Sequence, residues 1–436
     1  MAFFWTSVFI VMVFWRPQEW LFPWMFGWPV LDVVVGISAL ALSIEVNEGR
    51  TTIPKILPQL KLLIGLWIAA PLSHIPHGYF FGFKEAIMPV FKICFFSYLL
   101  VCVLDRPTRL RTTALLFVGM GLTIAYHAFM QLERGYGFGP VLPYWIEPID
   151  LEPGYYRTCF YGIFNDPNDL AQLFVVCIPF CFALGKRLNI FSFLIGSGLT
   201  YYFVKALDTT HSRGGEVGLV AALGTQIALL LPHRWFPYLM FAGFIGFLGI
   251  CPFSESMLDA SAHDRVVYWG LANQMFKHNP IFGIGYDMSW QVTLRGEALH
   301  NAFVTCYTEL GLFGYWFWFL LIQLGIIGAW RARGALRRVA DPNAKWIRHL
   351  AGMTIVSTMG FCASAYFLSR TFVFPLFFLV AMLAAMPRMA AQYIPPNYPP
   401  LFNLRRDVYK WGTIGSLISV IYIYISCILL NMAYYG

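Results

Sequence analysis

The stretch "GEALHNAFVTCYTELG", Gly296 to Gly311, carries an imidazole, His300, to the edge of a run that then turns almost wholly apolar. Neutral imidazole is well suited to taking a proton near pH 7. Upstream, "ALDTTHSRGGEVG" sets Arg213 between two apolar segments and follows it with two glycines, which let backbone approach a ligand closely. A guanidinium keeps its charge, and its planar fork matches two phosphate oxygens at once. Arg265, in "SAHDRVVYWG", is a second cation of this kind. A base with two such cations suits proton transfer beside a phosphate-bearing group. Plainer roles compete: Arg213 as a snorkelling helix-end residue, Arg265 as a surface charge beside Asp264, and His300 or Asn301 as a helix cap.

Other residues add to this set. Lys205 lies two helical turns before Arg213. Helical spacing puts His300, Val304 and Tyr307 on roughly one face, with Glu309 one of few carboxylates in an apolar run, able to orient a partner or pair with an arginine. In "FNDPNDLAQ", Asn168 or Asp169 is expected to cap the helix that follows. Asp166 and Asp169 as metal ligands gain no support from a His/Cys cluster at ligand spacing, so no metal and no other cofactor is expected. In "FKHNPIFGIGYD", Pro280 stops a helix, and Gly283 and Gly285 make a turn expected to fold the loop back across the outer face. Cys159 as the nucleophile of a membrane protease is a further alternative, as is a transporter using the arginines only for binding.

These residues sit in a chain of 436 amino acids that is 58% hydrophobic and 12% charged, with mean hydropathy +0.63. A soluble domain carries about 25% charged residues, and this much apolar surface cannot be hidden in one water-soluble core. The apolar runs are long and do not alternate, which favours helices over a barrel. The net charge of +8 does not point to nucleic acid, since most basic residues fall in short junctions between apolar runs. Most of the nine cysteines lie in those runs and behave as small hydrophobes rather than as a disulfide framework. The first run, "MAFFWTSVFIVMVFW", lacks the features of a cleavable signal peptide.

The pattern predicts an all-α, polytopic integral membrane protein of about 12 to 13 transmembrane helices. Transmembrane helices are expected over 1–130, 168–252 and 301–436, with two long loops over 131–167 and 253–300. Basic clusters such as Arg331–Arg348 place alternate junctions in the cytoplasm and both long loops outside. In the second loop, Val266, Trp269, Ala272 and Phe276 recur at helical spacing and predict an amphipathic helix on the membrane surface.

"FNDPNDLA", "HSRGG", "DRVVYW…HNPIFGIG" and "LHNAFVTCYTELGLFG", in this order and spacing, resemble the bacterial O-antigen ligase family. That superfamily includes O-antigen polymerases and protein O-oligosaccharyltransferases. The resemblance spans roughly Phe160 to Phe319, and its most specific motif is the His-Asn pair followed by Glu-x-Gly. It implies a glycosyltransferase of the bacterial inner membrane with its site facing the periplasm. Such an enzyme moves a glycan from an undecaprenyl-pyrophosphate carrier to a hydroxyl of lipid A-core, of another glycan or of a protein, without a metal. By this resemblance Arg213 and Arg265 hold the pyrophosphate and His300 activates the acceptor. Lys205 and Asn301 are expected to assist binding, and Ser212, Tyr268, Glu309, Asn168 and Asp169 to support the site. Nearby arginines should disfavour an imidazolium at His300.

Overall fold

The computed structural model describes residues 1–54, 58–147, 153–184, 189–250, 260–291, 293, 296 and 298–435. Among them stand fifteen α-helices: α1 (Ala2–Phe14), α2 (Pro17–Trp20), α3 (Val30–Asn47), α4 (Pro58–Leu72), α5 (Phe80–Val103), α6 (Pro107–Arg134), α7 (Pro167–Phe180), α8 (Ile190–Asp208), α9 (Arg213–Leu230), α10 (Phe236–Ile250), α11 (Ala260–His278), α12 (Ala302–Ala335), α13 (Pro342–Ala365), α14 (Phe374–Ala391) and α15 (Thr413–Tyr435). One small antiparallel ribbon, β1 (Tyr144–Ile146) with β2 (Tyr155–Arg157), pairs Trp145 with Tyr156. The fold is all-α and polytopic. Seven helical stretches among the described residues are long and apolar enough to cross a membrane, and helices also stand at each of the other apolar runs.

A helix apolar on every side belongs inside a bundle. α7 and α14 fit this: residues Leu170–Phe180 and Pro375–Met386 are buried without interruption. α13 packs against both α7 and α14, and α5 and α12 flank α14. The side chains of Phe14, Phe96 and Phe117 gather around Phe378, with centroids 5.0 to 6.1 Å from it. The outer helices show the reverse. Val220, Leu223, Ile227 and Leu230 of α9 are all exposed, as suits a surface facing lipid rather than water.

Two helix contacts set the geometry that matters for function. α9 and α13 approach until a Cβ on Gly218 would lie 2.9 Å from Gly360 O. Small residues permit such backbone contact between apolar helices. The crossing brings the start of α9 to the end of α13. The second contact involves α12, which is interrupted at Gly311 (φ 62°, ψ −169°). A break in an apolar helix strands carbonyls and amides that must find partners. They find them in residues 280–285: Ile284 N donates to Thr308 O (2.9 Å) and Gly285 N to Glu309 O (3.0 Å), while Leu312 N donates to Pro280 O (2.8 Å) and Phe313 N to Ile281 O (3.0 Å). A Cβ on Gly283 would fall 2.3 Å from Glu309 O. From the other side His77 donates to Gly283 O (2.8 Å) and Tyr286 N to Ser73 Oγ (2.9 Å). The "NPIFGIG" segment, expected to fold across an outer face, is instead locked between the break and the turn after α4.

The amphipathic helix also differs from expectation. α11 is present, but Val266, Trp269, Ala272 and Phe276 are all buried, and the helix packs on α12 and α15. Asn273 donates to Tyr424 O (3.0 Å) and accepts from the Tyr307 hydroxyl (2.6 Å). Periodicity located the apolar stripe correctly, but its partner is protein and not the membrane surface.

Candidate active site

His300 lies outside α12. Its backbone is left-handed (φ 49°), a conformation that costs a non-glycine residue free energy and persists only where neighbours fix it. Those neighbours are visible. His300 N donates to Ser369 Oγ at 2.6 Å, Thr371 Oγ1 donates to Ala302 O at 2.8 Å, and Trp269 Nε1 donates to Leu299 O at 2.7 Å. The loop after α13 and helix α11 thus grip the chain on both sides of the imidazole. Capping falls to Asn301 alone, whose Oδ1 accepts from Phe303 N (3.0 Å) and Val304 N (3.1 Å). The expected shared face of His300, Val304 and Tyr307 does not form, because His300 precedes the first helical turn.

The same loop reaches a second helix start. Arg370, next to Ser369, forms a two-pronged ion pair with Asp169 in the first turn of α7; Nε lies 2.7 Å from Oδ1 and Nη2 contacts Oδ2. Asp169 is 4% exposed, so its charge is neutralised inside the protein. The cap of α7 is Asp166, which accepts from Asn168 N (2.7 Å), and not Asn168 or Asp169 as their spacing suggested. Asn168 Oδ1 is thereby available to accept from Ser212 Oγ (2.8 Å) and Arg157 Nη2 (2.9 Å). Ser212 in turn caps α9 by accepting from Gly215 N (3.2 Å). Arg213, the first residue of α9, projects exposed from this support. A Cβ on Gly214 would lie 3.2 Å from Phe367 Cβ, so the loop that holds His300 also touches the turn that carries Arg213.

His300 and Arg213 therefore belong to one assembly, linked through Ser369–Arg370, Asp169, Asn168 and Ser212. Arg265 enters from α11, one turn before the Trp269 that bonds beside His300; it is half-buried, and Tyr268 is buried next to it. Lys205 sits apart: it is half-exposed and pairs with Asp208 on its own helix, 3.7 Å away. Glu309 is buried at the break in α12, where it accepts from Ser289 N (3.3 Å) rather than facing Arg213. Asp264 is half-buried on α11; the side chain of His263 lies outside the described residues.

Cys159 does not suit nucleophilic chemistry. It is 1% exposed, burial pushes its thiol up to about 11, and the sulfur donates to Leu142 O (3.3 Å). His127 bonds to its backbone carbonyl and not to its sulfur. A thiol held protonated is a weak nucleophile.

Sequence reasoning passed over Arg370 and Ser369 as site residues. A signal existed: "LSRTF" repeats the Ser-Arg pair of "HSRGG", and it is an ionisable residue between two apolar runs.

The all-α bundle defines a polytopic membrane protein, in which a gripped histidine shares an assembly with Arg213 at the start of α9 and Arg265 lies in the second turn of α11. Residues 202–319 match the family model described as O-Antigen ligase, which supports placing the chain in the O-antigen ligase family. The matched stretch runs from within α8 into α12 and contains Arg213, Arg265 and His300. No curated protein matches the chain.

Proposed function

We propose that the protein transfers a glycan from an undecaprenyl-pyrophosphate carrier to an acceptor hydroxyl, on the periplasmic face of the bacterial inner membrane. The observation that carries this reading is the linkage of His300 to Arg213 through one hydrogen-bonded assembly, with Arg265 arriving on α11. His300 takes the proton of the acceptor hydroxyl, and the oxygen attacks the anomeric carbon. The bond from that carbon to the pyrophosphate oxygen breaks, and its electrons leave with the carrier pyrophosphate. Arg213 and Arg265 stabilise the charge that develops there. A single displacement inverts the anomeric centre; a retaining route would need a carboxylate nucleophile, and of the two candidates Asp166 caps α7 while Glu309 is buried at the break in α12, where it accepts from Ser289 N.

The acceptor is lipid A-core in the reading we favour; the end of another glycan or a protein hydroxyl would use the same chemistry. The deciding experiment incubates purified protein with a lipid-linked oligosaccharide and each acceptor and identifies the product by mass spectrometry. Absence of any new glycosidic bond with all three acceptors would sink the transferase reading. The break at Gly311 is a feature that favours a transporter, since interrupted helices hold ions in such proteins. Here the groups freed by the break bond to residues 280–285, which argues against an ion role.

A further inference from the structure

The end of the bundle opposite His300 holds a polar cavity. α13 leads at its far end into Ser369 and Arg370, whereas the cavity is lined by Asn343 at its start, by Thr108 at the start of α6 and by Arg388 near the end of α14. α13 has 24 residues, which separates the two ends by about 36 Å. The cavity has a volume of about 500 Å³, and Arg50, Arg106 and Arg388 all line it, with Asp105 as the lining carboxylate among the described residues. Asp105 Oδ1 lies within ion-pair distance of Arg106 (3.3 Å) and Arg109 (3.2 Å), which offset its charge, although it accepts no hydrogen bond among the described residues. Arg50 also reaches the exposed Glu48 at 2.9 Å.

Three further features are donors in want of an acceptor. Arg388 Nη2 donates to Thr52 O (2.9 Å) and Thr52 Oγ1 (3.1 Å), but its Nη1 is buried and meets no acceptor among the described residues. Thr51, also in the lining, is 8% exposed, and its hydroxyl likewise has no partner there. Arg106 is the N-cap of α6 and supplies no side-chain cap, so the positive end of that helix faces the cavity uncapped. A buried donor left unmatched costs free energy, and here the unmatched donors converge with excess positive charge.

We propose that this cavity is an anion site, separate from the candidate active site, that takes a phosphate group, with an anionic phospholipid headgroup as its source. The volume exceeds a bare phosphate and accommodates a glycerophosphate. The exposed Leu40 and Ile44 of α3 and the exposed Ile53 lie close in sequence to the lining and offer apolar surface for acyl chains. Basic pockets between helices hold such headgroups at anionic leaflets.

The test follows thermal unfolding of the full chain in neutral detergent, titrated with phosphatidylglycerol, phosphatidylcholine or glycerol 3-phosphate. Phosphatidylglycerol should raise Tm saturably and phosphatidylcholine should not. Arg106→Gln with Arg388→Gln should weaken the phosphatidylglycerol response by about ten-fold or more in concentration. If glycerol 3-phosphate alone reproduces the shift, the phosphate site stands and its source is soluble. If the double variant unfolds, Thr51→Val decides: it should keep the lipid-free Tm and lose affinity about three-fold. No Tm response of the wild type to either phosphate, or an unchanged response in the variant, overturns the proposal.

Discussion

The amide of His300 donates to the Ser369 hydroxyl at 2.6 Å, and the next residue along that loop, Arg370, is the one that holds Asp169. The left-handed histidine and the buried carboxylate of α7 thus share a two-residue clamp. If His300 is the base, His300→Ala should lower transfer at least about a hundred-fold with donor-lipid binding nearly intact. Ser369→Ala should lower kcat roughly five- to thirty-fold, the worth of a hydrogen bond of about 1–2 kcal/mol, and leave the donor KM alone. Ser369→Thr should restore most of the loss. A His300→Ala variant that still transfers at a normal single-turnover rate removes the base assignment.

The arginines should separate by geometry as well as by charge. Arg213→Ala and Arg265→Ala should each cost about 2–4 kcal/mol in the transition state. Lysine at either position should rescue only partly, since a point charge cannot reproduce a fork. Steady-state kinetics with a defined lipid-linked donor reads this directly, and full activity of Arg213→Lys would count against bidentate binding.

The Asp169–Arg370 pair should be strongly coupled. Removing one partner of a fully buried pair costs about 3–5 kcal/mol. The Arg370 side chain is 38% exposed, so Asp169→Ala should fall somewhat lower, at about 2–3 kcal/mol. A double-mutant cycle with Arg370→Gln, read by denaturant unfolding in detergent, should return a coupling well above 1 kcal/mol; additive effects would mean the pair contributes little.

Gly311 should resist every side chain. Its φ and ψ fall in a region essentially reserved for glycine, and a Cβ there would sit 2.3 Å from Ile281 O. Gly311→Ala should therefore destabilise by more than about 3 kcal/mol, beyond the usual loss for a point substitution. An unchanged Tm would show that the break is not as tightly filled as its backbone bonds imply.

His233 gives a pH dependence. Its ring stacks on Trp330 at 4.2 Å, and burial, followed by Arg333 and Arg337, lowers its pKa below the ordinary value. A histidine whose folded pKa is lowered contributes stability that is present above the unfolded value of about 6.5 and is lost as pH falls through the folded value. Tm should drop on acidification from neutral pH, and His233→Gln should reduce the drop. Equal acid sensitivity in the two proteins would assign it elsewhere.

What could be read in advance follows from what depends on local pattern. Helix positions were legible because apolar runs of this length have few alternatives in a membrane. Arg213 and His300 stood out because charge beside such runs is unusual. The identity of the caps was not legible: Asp166, Asn168 and Asp169 are all competent, and only the long-range bonds of Asn168 to Ser212 and of Asp169 to Arg370 leave the capping to Asp166. For the same reason α11 showed its stripe but not what would cover it, and no local signal marked the break at Gly311, which depends on a segment some thirty residues away in sequence.

The break bears on how the chain enters its membrane. Ala302–Leu310, ahead of Gly311, is less than half the roughly 20 residues that a helix needs to cross a bilayer. Only the stretch after Gly311 is long enough to insert by itself during synthesis. The short half that follows His300 can settle only after residues 280–285, made earlier, have come back to receive its carbonyls. His300 itself is fixed by Ser369, and Ala302 by Thr371, both made after it, so a chain truncated before them carries the histidine without the contacts that position it.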